Sequence, residues 1–499
     1  MSLLCCSQYE QTVPWKQATL DLKADQLLGL KPNTIAKYIC FNDDEIRARQ
    51  AMFVDFINND DIVSILKQIK DNINSIKKLN EKDRKYYDSS ERVFYEIRSF
   101  QVYMDTIDTL DALYSKKKDI LCSHRLIDFL HTFHEIHESE DYMEICSCLI
   151  ERLKSIENIK SVTIGINLNM VLEPSEVGIL SINNYNFVDP PLFKKFLSSH
   201  RKERDFLSPL IKFESENNFL ENTIYLTINK MLVKALKKQN ETLSFWLRQN
   251  CNTLINVSEE IDFLCSCMDL LNYLKEKGGF WCYPICADTV KINCAYNPLL
   301  LRQKKFKDVV CNDIFWNFDE SYIFVLTGAN SGGKSVFVES VGICQILFQL
   351  GMPIPAKEAC IKPVNCIHTH FSMSSDDGES RFTNECKKMR LILDSIRKND
   401  MLLMDETFSA TSSNEGAAIA YYVLKHIKKL SCICIYSTHI HDLIHYLPSI
   451  NENSNAVIPM HVECVQGVRT FRIVYGADDE SSHAYEIAKK YGLTDFEDE

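Results

Sequence analysis

The sequence predicts an α/β fold in two parts, a largely α-helical domain at residues 1–275 and a domain with a mainly parallel β-sheet at residues 276–499. Upstream of the boundary, stretches such as Asp60–Leu79 repeat apolar residues every three or four positions, which is the pattern of one buried helix face. Downstream, short β-rich runs alternate with helical patterns, and this alternation is typical of a parallel sheet covered by helices. The glycine pair in Lys277-Gly278-Gly279 marks the boundary.

The composition is that of a globular protein, since 45% of the 499 residues are hydrophobic and 25% are charged. No apolar run reaches the roughly 18 residues that span a bilayer, and the first residues lack the basic start and long apolar stretch of a secretory signal. We therefore expect a cytoplasmic protein without a membrane partner. Because the net charge is −12, any nucleic-acid partner must be held by local basic patches.

Most of the 20 cysteines are expected to be reduced thiols, because they are spread over a long chain that shows no export signal. Two groups have the residue types of a metal site: Cys265, Cys267, Cys282 and Cys286, and the histidines His131, His134 and His137. Structural zinc sites usually pair cysteines two to four residues apart, and histidines three residues apart drift round a helix. We interpret both groups as structural.

The helical pattern of the first domain is interrupted near residues 160–217. Residues Ser161–Asn186 are rich in β-branched side chains and are broken by Pro174, which predicts one or two short strands. Helical patterns resume at about Glu221 and continue to Leu274. We therefore expect a short β-containing insert between long helices.

A phosphate-binding loop is predicted directly after the apolar strand Tyr322–Leu326. The loop reads Thr327, Gly328, Ala329, Asn330, Ser331, Gly332, Gly333, Lys334 and Ser335, with Val336 next in the following helix. It satisfies the pattern G-x4-G-K-[S/T], in which backbone N–H groups and the helix N-terminus surround phosphate oxygens. Lys334 is expected to neutralise the β- and γ-phosphates and Ser335 to bind Mg²⁺. The alternative is a chance turn before a helix.

A pair of acidic residues follows a second apolar strand downstream of the loop. Asp405 and Glu406 end the run MLLM, at the carboxyl end of a strand, where doubly wound sheets bind their ligands. We assign Asp405 to Mg²⁺ and Glu406 as the base that orients the attacking water. His439 follows the strand CICIY and is expected at the same edge, where it would sense the γ-phosphate. The alternative for His439 is a hydrogen-bonded histidine at a strand end.

The order of these motifs resembles the ATPase domain of the MutS family of DNA mismatch-repair proteins, a branch of the ABC-type ATPases. The likeness covers about residues 295–495. Its motifs are TGANSGGKS at 327–335, GMPIPA at 351–356, Asp376-Asp377, SRFTNE at 380–385, LLMDE at 402–406, TSSNEG at 411–416, Ser437-Thr438-His439 and the closing segment Ser481–Leu493. The helices before residue 275 would then be the core and levers that carry the ATPase signal.

The resemblance implies ATP and Mg²⁺ as cofactors and a homodimer with composite ATP sites. In such a dimer Ser380 of one subunit reaches the γ-phosphate that the other subunit binds. The alternative for Ser380 is an ordinary helix cap. Asn330 matches an asparagine of the family's phosphate loop. The ATPase activity is thus expected to depend on a second copy of the chain.

Several features depart from the family pattern. Members that read mismatches carry an N-terminal domain with a Phe-x-Glu wedge, and we expect that domain to be missing because core-like helices begin near Leu20. Phe94-Tyr95-Glu96 matches the wedge pattern but lies in a helical stretch, so we interpret it as accidental. The insert is short for a DNA clamp, so we expect that clamp to be reduced or absent, and we expect the longer helical tail of many members to be missing. Residues Thr407–Ala410 replace a turn that is usually rich in glycine.

Three clusters of basic residues are candidates for DNA contact. They are Lys77, Lys78, Lys82, Arg84 and Lys85; Lys116–Lys118; and Lys194, Lys195, His200, Arg201, Lys202 and Arg204. Such clusters would give sequence-independent, salt-sensitive affinity, although each is also what a solvated helix face looks like. The cluster in the insert is the preferred one.

The sequence therefore predicts an ATP-dependent DNA-binding protein of the MutS type. ATP binding and hydrolysis would be coupled to the clasping of duplex or distorted DNA, in mismatch repair or a related repair or recombination process. The rival is an ABC-type ATPase whose helical arms hold a protein partner, with no DNA role. A nucleotide-binding scaffold without turnover is a third possibility, which the intact Lys334, Asp405 and Glu406 disfavour.

Overall fold

The computed structural model describes residues 3–4, 12–85, 90–147, 160–172, 174–186, 252–317, 322–328, 333–371, 380–452, 454–465 and 468–477. These residues form an α/β structure with mixed sheets and many helices, so the predicted α/β class is confirmed. None of the described helices is both long and apolar enough to cross a membrane.

The described residues separate into two compact units. The first unit draws on the ranges Ser64–Leu121 and Leu126–Ile261. The second draws on Leu3–Val63, Cys122–Arg125 and Asp262–Glu499. This grouping follows contacts and not chain order, and the division at residue 275 stays a prediction.

Nine helices occur in the described residues before the sheets of the second unit. Their bounds are α1 (Thr12–Asp21), α2 (Ala24–Leu28), α3 (Pro32–Lys37), α4 (Asp43–Asn58), α5 (Asp60–Lys85), α6 (Ser90–Lys117), α7 (His124–His137), α8 (140–147) and α9 (252–276).

Helix α4 shows how the sequence starts such a helix. Its N-cap Asn42 accepts a hydrogen bond from the N–H of Glu45, and three acidic residues in its first turn suit the positive end of the helix dipole.

Long helices with regular apolar stripes build the first unit. Helix α5 buries Leu66, Ile69, Ile73 and Ile76, at the three- and four-residue steps that the sequence pattern predicts. Helix α6 buries a comparable stripe: Phe100, Tyr103, Ile107, Leu110 and Leu113. The two helices also share a polar contact, in which Asn72 Nδ2 donates to Thr106 Oγ1 at 3.0 Å. Each helix thus buries an apolar stripe, and a hydrogen bond joins the two helices.

An antiparallel hairpin interrupts the helices of the first unit. Its strands are β1 (Ser161–Leu168) and β2 (Pro174–Asn183), and the register shifts twice along the pair. Near its tip, Met170, Val171 and Leu172 are exposed. Pro174 is the first residue of β2, a position at which the missing N–H of proline is tolerated.

The second unit contains ten strands in the described residues. They are β3 (Ile285–Cys286), β4 (Thr289–Ala295), β5 (Asn312–Asn317), β6 (Ile323–Thr327), β7 (Glu358–Ile361), β8 (Ile367–Phe371), β9 (Met401–Asp405), β10 (Ile433–Ser437), β11 (Val457–Val465) and β12 (Val468–Tyr475). Six of them form a sheet in the order β12-β11-β6-β10-β9-β8, and four form a smaller sheet in the order β3-β7-β4-β5.

The six-stranded sheet is parallel except at one edge. Strands β11, β6, β10, β9 and β8 run in the same direction, and β12 pairs antiparallel with β11. Every residue of β6 and β10 is buried, as expected for central strands covered on both faces. Since the central strands are parallel, their carboxyl ends meet at one edge of the sheet.

Helices cover this sheet. They are α10 (Lys334–Gln349), α11 (Arg381–Ser395), α12 (Ser413–Leu430) and the short α13 (Leu447–Ile450). Helix α10 follows β6 directly and is buried along nearly its whole length. Helix α12 buries Ala417, Ala420, Leu424 and Ile427 in the same hydrophobic core as the strands β9 and β10.

The N-terminal helices α1 to α4 belong to the second unit by their contacts. Trp15 of α1 donates its indole N–H to the carbonyl oxygen of Asn365 at 2.9 Å. Arg49 of α4 is 2% exposed and donates to the carbonyl oxygens of Tyr38 and Leu350. A buried guanidinium needs such acceptors, because an unpaired buried charge is costly. These helices are therefore tied to the sheet domain by specific polar contacts.

Candidate functional site

The strand, loop and helix of the predicted phosphate site lie at the centre of the large sheet. Strand β6 lies between β11 and β10, and α10 begins at Lys334. Gly328 has φ +131°, and a Cβ on it would lie 3.2 Å from Val462 Cγ2. Gly333 caps α10 with φ +90°. Both positions thus favour glycine, the first also because of the close approach of the neighbouring strand. Ala329, Asn330, Ser331 and Gly332 lie outside the described residues.

Lys334 is the most buried cation of this region, with 4% of its surface exposed. Its Nζ donates to the carbonyl oxygen of Gly328 at 2.7 Å. Burial lowers the pKa of Lys334, and the negative charges of Glu406 and Asp405 oppose that shift. The helix N-terminus, a buried ammonium group and two carboxylates are therefore close enough to interact electrostatically.

Asp405 and Glu406 lie at the carboxyl end of β9, beside the end of β10. Ser437 pairs with Asp405 in the ladder, and its hydroxyl donates to Asp405 Oδ1. The N–H of Glu406 donates to the carbonyl oxygen of Ser437 at 2.9 Å, and Glu406 adopts φ +51°. A non-glycine residue in the left-handed region is strained, so this turn is held by its neighbours. The left-handed conformation of Glu406 turns the chain sharply at the residue that carries the carboxylate.

His439 lies close to Glu406. Its Nδ1 is 4.0 Å from Glu406 Oε1, and both side chains are a little over one third exposed. The same Nδ1 atom is buried and has no hydrogen-bond partner among the described residues. A buried ring nitrogen without a partner is unusual and calls for a ligand or water. The alternative of a hydrogen-bonded strand-end histidine is therefore not supported at this atom.

Thr327, Ser335, Val336 and Ser380 complete the predicted set. Thr327 is buried at the end of β6, with its Oγ1 3.4 Å from the carbonyl oxygen of Met460. Ser335 is exposed and Val336 is half-buried in the first turn of α10. Ser380 is the N-cap of α11 and accepts a hydrogen bond from the N–H of Thr383. The structure thus places Ser380 as a helix cap in a single subunit.

A cleft of about 280 Å³ opens beside the start of α10. Gly333, Lys334, Ser335, Val336 and Glu406 form one part of its wall. The rest comes from residues that the sequence did not single out: Leu300, Lys304, Asp308, Val309, Val310, Asn312 and Phe471. Lys304 Nζ lies 5.9 Å from the centre of the Phe471 ring, and Asn312 Nδ2 donates to the Phe471 carbonyl oxygen at 3.2 Å. The cleft therefore has a charged end at Lys334 and a more apolar wall at Val309, Val310 and Phe471.

Comparison with known proteins adds to this geometry. The model of the family described as MutS domain V matches residues 324–495, which include every site residue predicted from the sequence. Residues 324–495 thus carry a MutS domain V. A protein named DNA mismatch repair protein MutS from Prochlorococcus marinus strain MIT 9301 is 35% identical over 213 residues, covering 41% of this chain and 23% of that protein. The family assignment thus agrees with the resemblance in the motifs.

Other MutS proteins match a longer part of the chain at lower identity. The one from Thermotoga neapolitana is 26% identical over 338 residues, covering 66% of this chain and 38% of that protein. The one from Clostridium perfringens is 26% identical over 370 residues, covering 70% of this chain and 38% of that protein. The chain thus matches less than half the length of these curated relatives.

The turn after Glu406 departs from the expected glycine-rich pattern. Phe408 has φ +62°, a conformation that favours glycine, yet it is 1% exposed. Its ring belongs to the hydrophobic core, and its N–H donates to Glu385 Oε2 at 2.9 Å. Burial of the ring and this hydrogen bond offset the strain of the backbone. The turn is consequently anchored to α11, whose first residues follow Ser380.

Of the two residue groups that resembled metal sites, the histidines lie beside carboxylates, and two of the cysteines are buried in a helix. His134 Nδ1 lies 2.6 Å from Asp111 Oδ1, and His131 Nδ1 lies 3.7 Å from Glu135 Oε1. Cys265 and Cys267 are buried in α9, where burial raises the pKa of the Cys267 thiol. Buried thiols of this kind pack as small hydrophobic groups.

We expect His370, on β8, to make a contribution to the free energy of unfolding that is lost at acidic pH. Burial lowers its pKa to about 4, and its Nδ1 lies 3.0 Å from Thr407 Oγ1 in the turn after Glu406. The unfolded chain has the ordinary value of about 6.5, so it binds a proton more readily than the folded one between these values. This contribution is full above about pH 6.5 and falls as pH drops towards 4, by about 3 kcal/mol in total.

The measurement is urea unfolding at about pH 7.5 and about pH 4.5, for the protein and for His370→Gln. We expect the variant to lose less stability on acidification than the original, because its side chain takes up no proton. Equal losses in both proteins would contradict the prediction.

Proposed function

We propose that this chain binds ATP with Mg²⁺ at the carboxyl edge of the large sheet and hydrolyses it. The observation that carries the proposal is Lys334, a buried ammonium at the first turn of α10 on which the charges of Asp405 and Glu406 act. A buried cation at a helix N-terminus is suited to a polyphosphate, because the phosphate charge compensates the positive charge of Lys334. The triphosphate would lie along the wall formed by Gly333, Lys334 and Ser335, and the adenine ring of ATP would enter the apolar part of the cleft.

Each side chain has a distinct role in this proposal. Ser335 and Asp405 would hold Mg²⁺, which neutralises phosphate charge when it is bound, and the Ser437 hydroxyl orients the Asp405 carboxylate. Glu406 accepts the proton of the attacking water. His439 donates to the γ-phosphate, which would give its ring a polar partner. The distance of 4.0 Å between His439 Nδ1 and Glu406 Oε1 is consistent with both groups facing one reacting phosphate.

The active unit is proposed to be a homodimer with composite ATP sites. Ser380 stands at the N-terminus of α11, and helix N-termini favour anionic groups. From this position its hydroxyl would contact the γ-phosphate bound by a second copy. The anchoring of Phe408 to Glu385 of the same helix links that contact to the turn that follows Glu406.

The process that we propose is DNA mismatch repair or related repair, through ATP-controlled clasping of duplex or distorted DNA. Support comes from the relatives, which are named DNA mismatch repair proteins. Within the described residues, Lys116 in the last turn of α6 and Lys118 just after that helix have exposed side chains, while Lys77 donates to Ser258 Oγ at 2.8 Å. The preferred cluster at Lys194–Arg204 lies outside the described residues. Contacts of lysines with phosphates would make binding depend on salt and not on sequence.

The test is a titration of labelled homoduplex, mispaired and branched DNA at about 50 mM salt and upwards, with ATP, with ADP and without nucleotide. We expect binding that weakens as salt rises, and Lys116→Gln with Lys118→Gln should lower the slope of log K against log salt by about 2. The matched control is Lys425→Gln with Lys429→Gln on α12. Lys425 lies over the ring of Tyr421 as Lys118 lies over that of Tyr114. No affinity at low salt in any nucleotide state would contradict a DNA role and favour a protein partner.

A further inference from the structure

A second cluster of chemically reactive side chains lies at the opposite edge of the large sheet. Cys366 immediately precedes β8, His368 is the second residue of that strand, and Asp400 immediately precedes β9. The two strands pair in parallel with Ile367 opposite Met401, and the N–H of Met401 donates to the carbonyl oxygen of Cys366 at 2.9 Å. Side chains two residues apart on a strand point to the same face, so Cys366 and His368 face the same way.

The ligand atoms of these three residues are close together and buried. One atom from each, the thiol sulfur, a ring nitrogen and a carboxylate oxygen, all lie within 4.8 Å of one another. Cys366, His368 and Asp400 are 0%, 5% and 1% exposed. In the part of the chain that the structure describes, this is the one group of three such residues with that spacing. Buried ionisable groups are expected to be paired or to bind an ion.

One carboxylate oxygen of Asp400 accepts hydrogen bonds, and the other accepts none from the described residues. Its Oδ2 lies 3.1 Å from His368 Nε2 and accepts from the N–H of Arg397 at 2.7 Å. Its Oδ1 is buried and has no hydrogen-bond partner among the described residues. A buried carboxylate oxygen without a donor is costly, and a cation would satisfy it.

We propose that Cys366, His368 and Asp400 bind one divalent zinc ion. Thiolate, imidazole and carboxylate together are the ligands of zinc in proteins, at about 2.0 to 2.3 Å. In tetrahedral geometry such ligand atoms are about 3.3 to 3.6 Å apart. The three ligand atoms already lie within 4.8 Å of one another, so small side-chain shifts would bring them to this spacing. The second oxygen of Asp400 or a water takes the fourth position. The neighbouring thiol of Cys432 is engaged elsewhere, since it donates to the carbonyl oxygen of Arg397 at 2.8 Å.

Binding exchanges one bond for another. The S–H bond of Cys366 breaks, its proton leaves to the solvent, and a sulfur–zinc bond forms, while His368 binds as the neutral imidazole.

The site is separate from the proposed nucleotide site. Asp400 and Asp405 bracket β9, and five residues of extended strand span about 16 Å. A zinc ion there would join the amino ends of β8 and β9, at the edge strand of the sheet. Its proposed role is to hold that edge strand in place. The competing explanation is a hydrogen bond between His368 and Asp400 that needs no metal.

The test counts zinc on the full chain. The protein is freed of metal by dialysis against a chelator, then equilibrated with Zn²⁺ in a competing chelator and excess Mg²⁺, so that carboxylates at the nucleotide site are occupied. We expect one retained zinc per chain, an X-ray absorption spectrum with one sulfur ligand, and a thiolate-to-metal band when Co²⁺ replaces Zn²⁺. This measurement needs no variant. No retained zinc, or a bound ion without sulfur, overturns the proposal.

Variants then assign the ligands. Cys366→Ser and Asp400→Asn are each expected to weaken zinc affinity by about 100-fold or more. The matched control is Cys434→Ser, a buried thiol of β10 whose Sγ lies 4.0 Å from Met404 Sδ, and it should retain the ion. An unchanged affinity in Cys366→Ser overturns the proposal, as does an equal loss in the control.

Discussion

Glu406→Gln is expected to slow ATP hydrolysis by about 10²- to 10⁴-fold while ATP affinity stays within a few-fold of the original. The amide has nearly the shape of the carboxylate but cannot accept the proton of the attacking water. The backbone of residue 406 is held by Ser437, whose carbonyl oxygen accepts its N–H, so the substitution leaves the turn in place. A loss in turnover without a loss in binding is the signature of a group that acts in the transition state.

Single-turnover hydrolysis and equilibrium nucleotide binding, both with Mg²⁺, separate the two effects. Glu452→Gln is the control, because it removes an exposed carboxylate outside the candidate site. Equal turnover in Glu406→Gln and the original protein would remove Glu406 from the role of base. A parallel loss of binding would instead assign it to substrate affinity.

The large sheet and the residues at its carboxyl edge could be predicted from local patterns. Short apolar runs such as MLLM and CICIY are buried on both faces as strands, and each is followed by polar residues. Parallel strands end at the same edge, and this alone brings Glu406 and His439 within reach of each other. The pattern of glycines before Lys334 was equally informative, since Gly328 and Gly333 both have positive φ.

Contacts distant in sequence escaped prediction because no local pattern reports them. The helices α1 to α4 read as part of a helical domain, yet Trp15 donates to Asn365 and Arg49 to Leu350. The wall of the cleft from Leu300 to Asn312 had only an unremarkable mixture of apolar and basic residues. The cluster of Cys366, His368 and Asp400 shows the same limit, because its third member comes from the next strand of the sheet. The pairing of two strands brings these side chains together, and the spacing of the residues along the chain does not reveal it.

Lys334→Ala is expected to weaken ATP binding by about 100-fold or more, because charge-assisted hydrogen bonds to phosphate contribute about 1.5–3 kcal/mol each and lie here in a buried site. The ammonium is desolvated because Lys334 is buried, so its electrostatic interaction with phosphate is less screened than at an exposed position. In the absence of nucleotide, that desolvation is a cost to the folded state, offset by the hydrogen bond to the Gly328 carbonyl oxygen and by Asp405 and Glu406. The variant should therefore fold while losing its ligand.

Isothermal titration with a slowly hydrolysed ATP analogue measures the affinity, and circular dichroism with thermal melting checks the fold. Lys425→Ala is the control, since it removes an exposed ammonium from α12. The comparison also distinguishes two origins of affinity. If Lys334 acts through contact with phosphate, the loss should be larger for ATP than for adenosine, which lacks phosphate groups. If the lysine only maintains the shape of the loop, both ligands should lose affinity alike. Unchanged ATP affinity in Lys334→Ala would contradict the proposed position of the triphosphate, and with it the roles given to Ser335, Asp405 and Glu406.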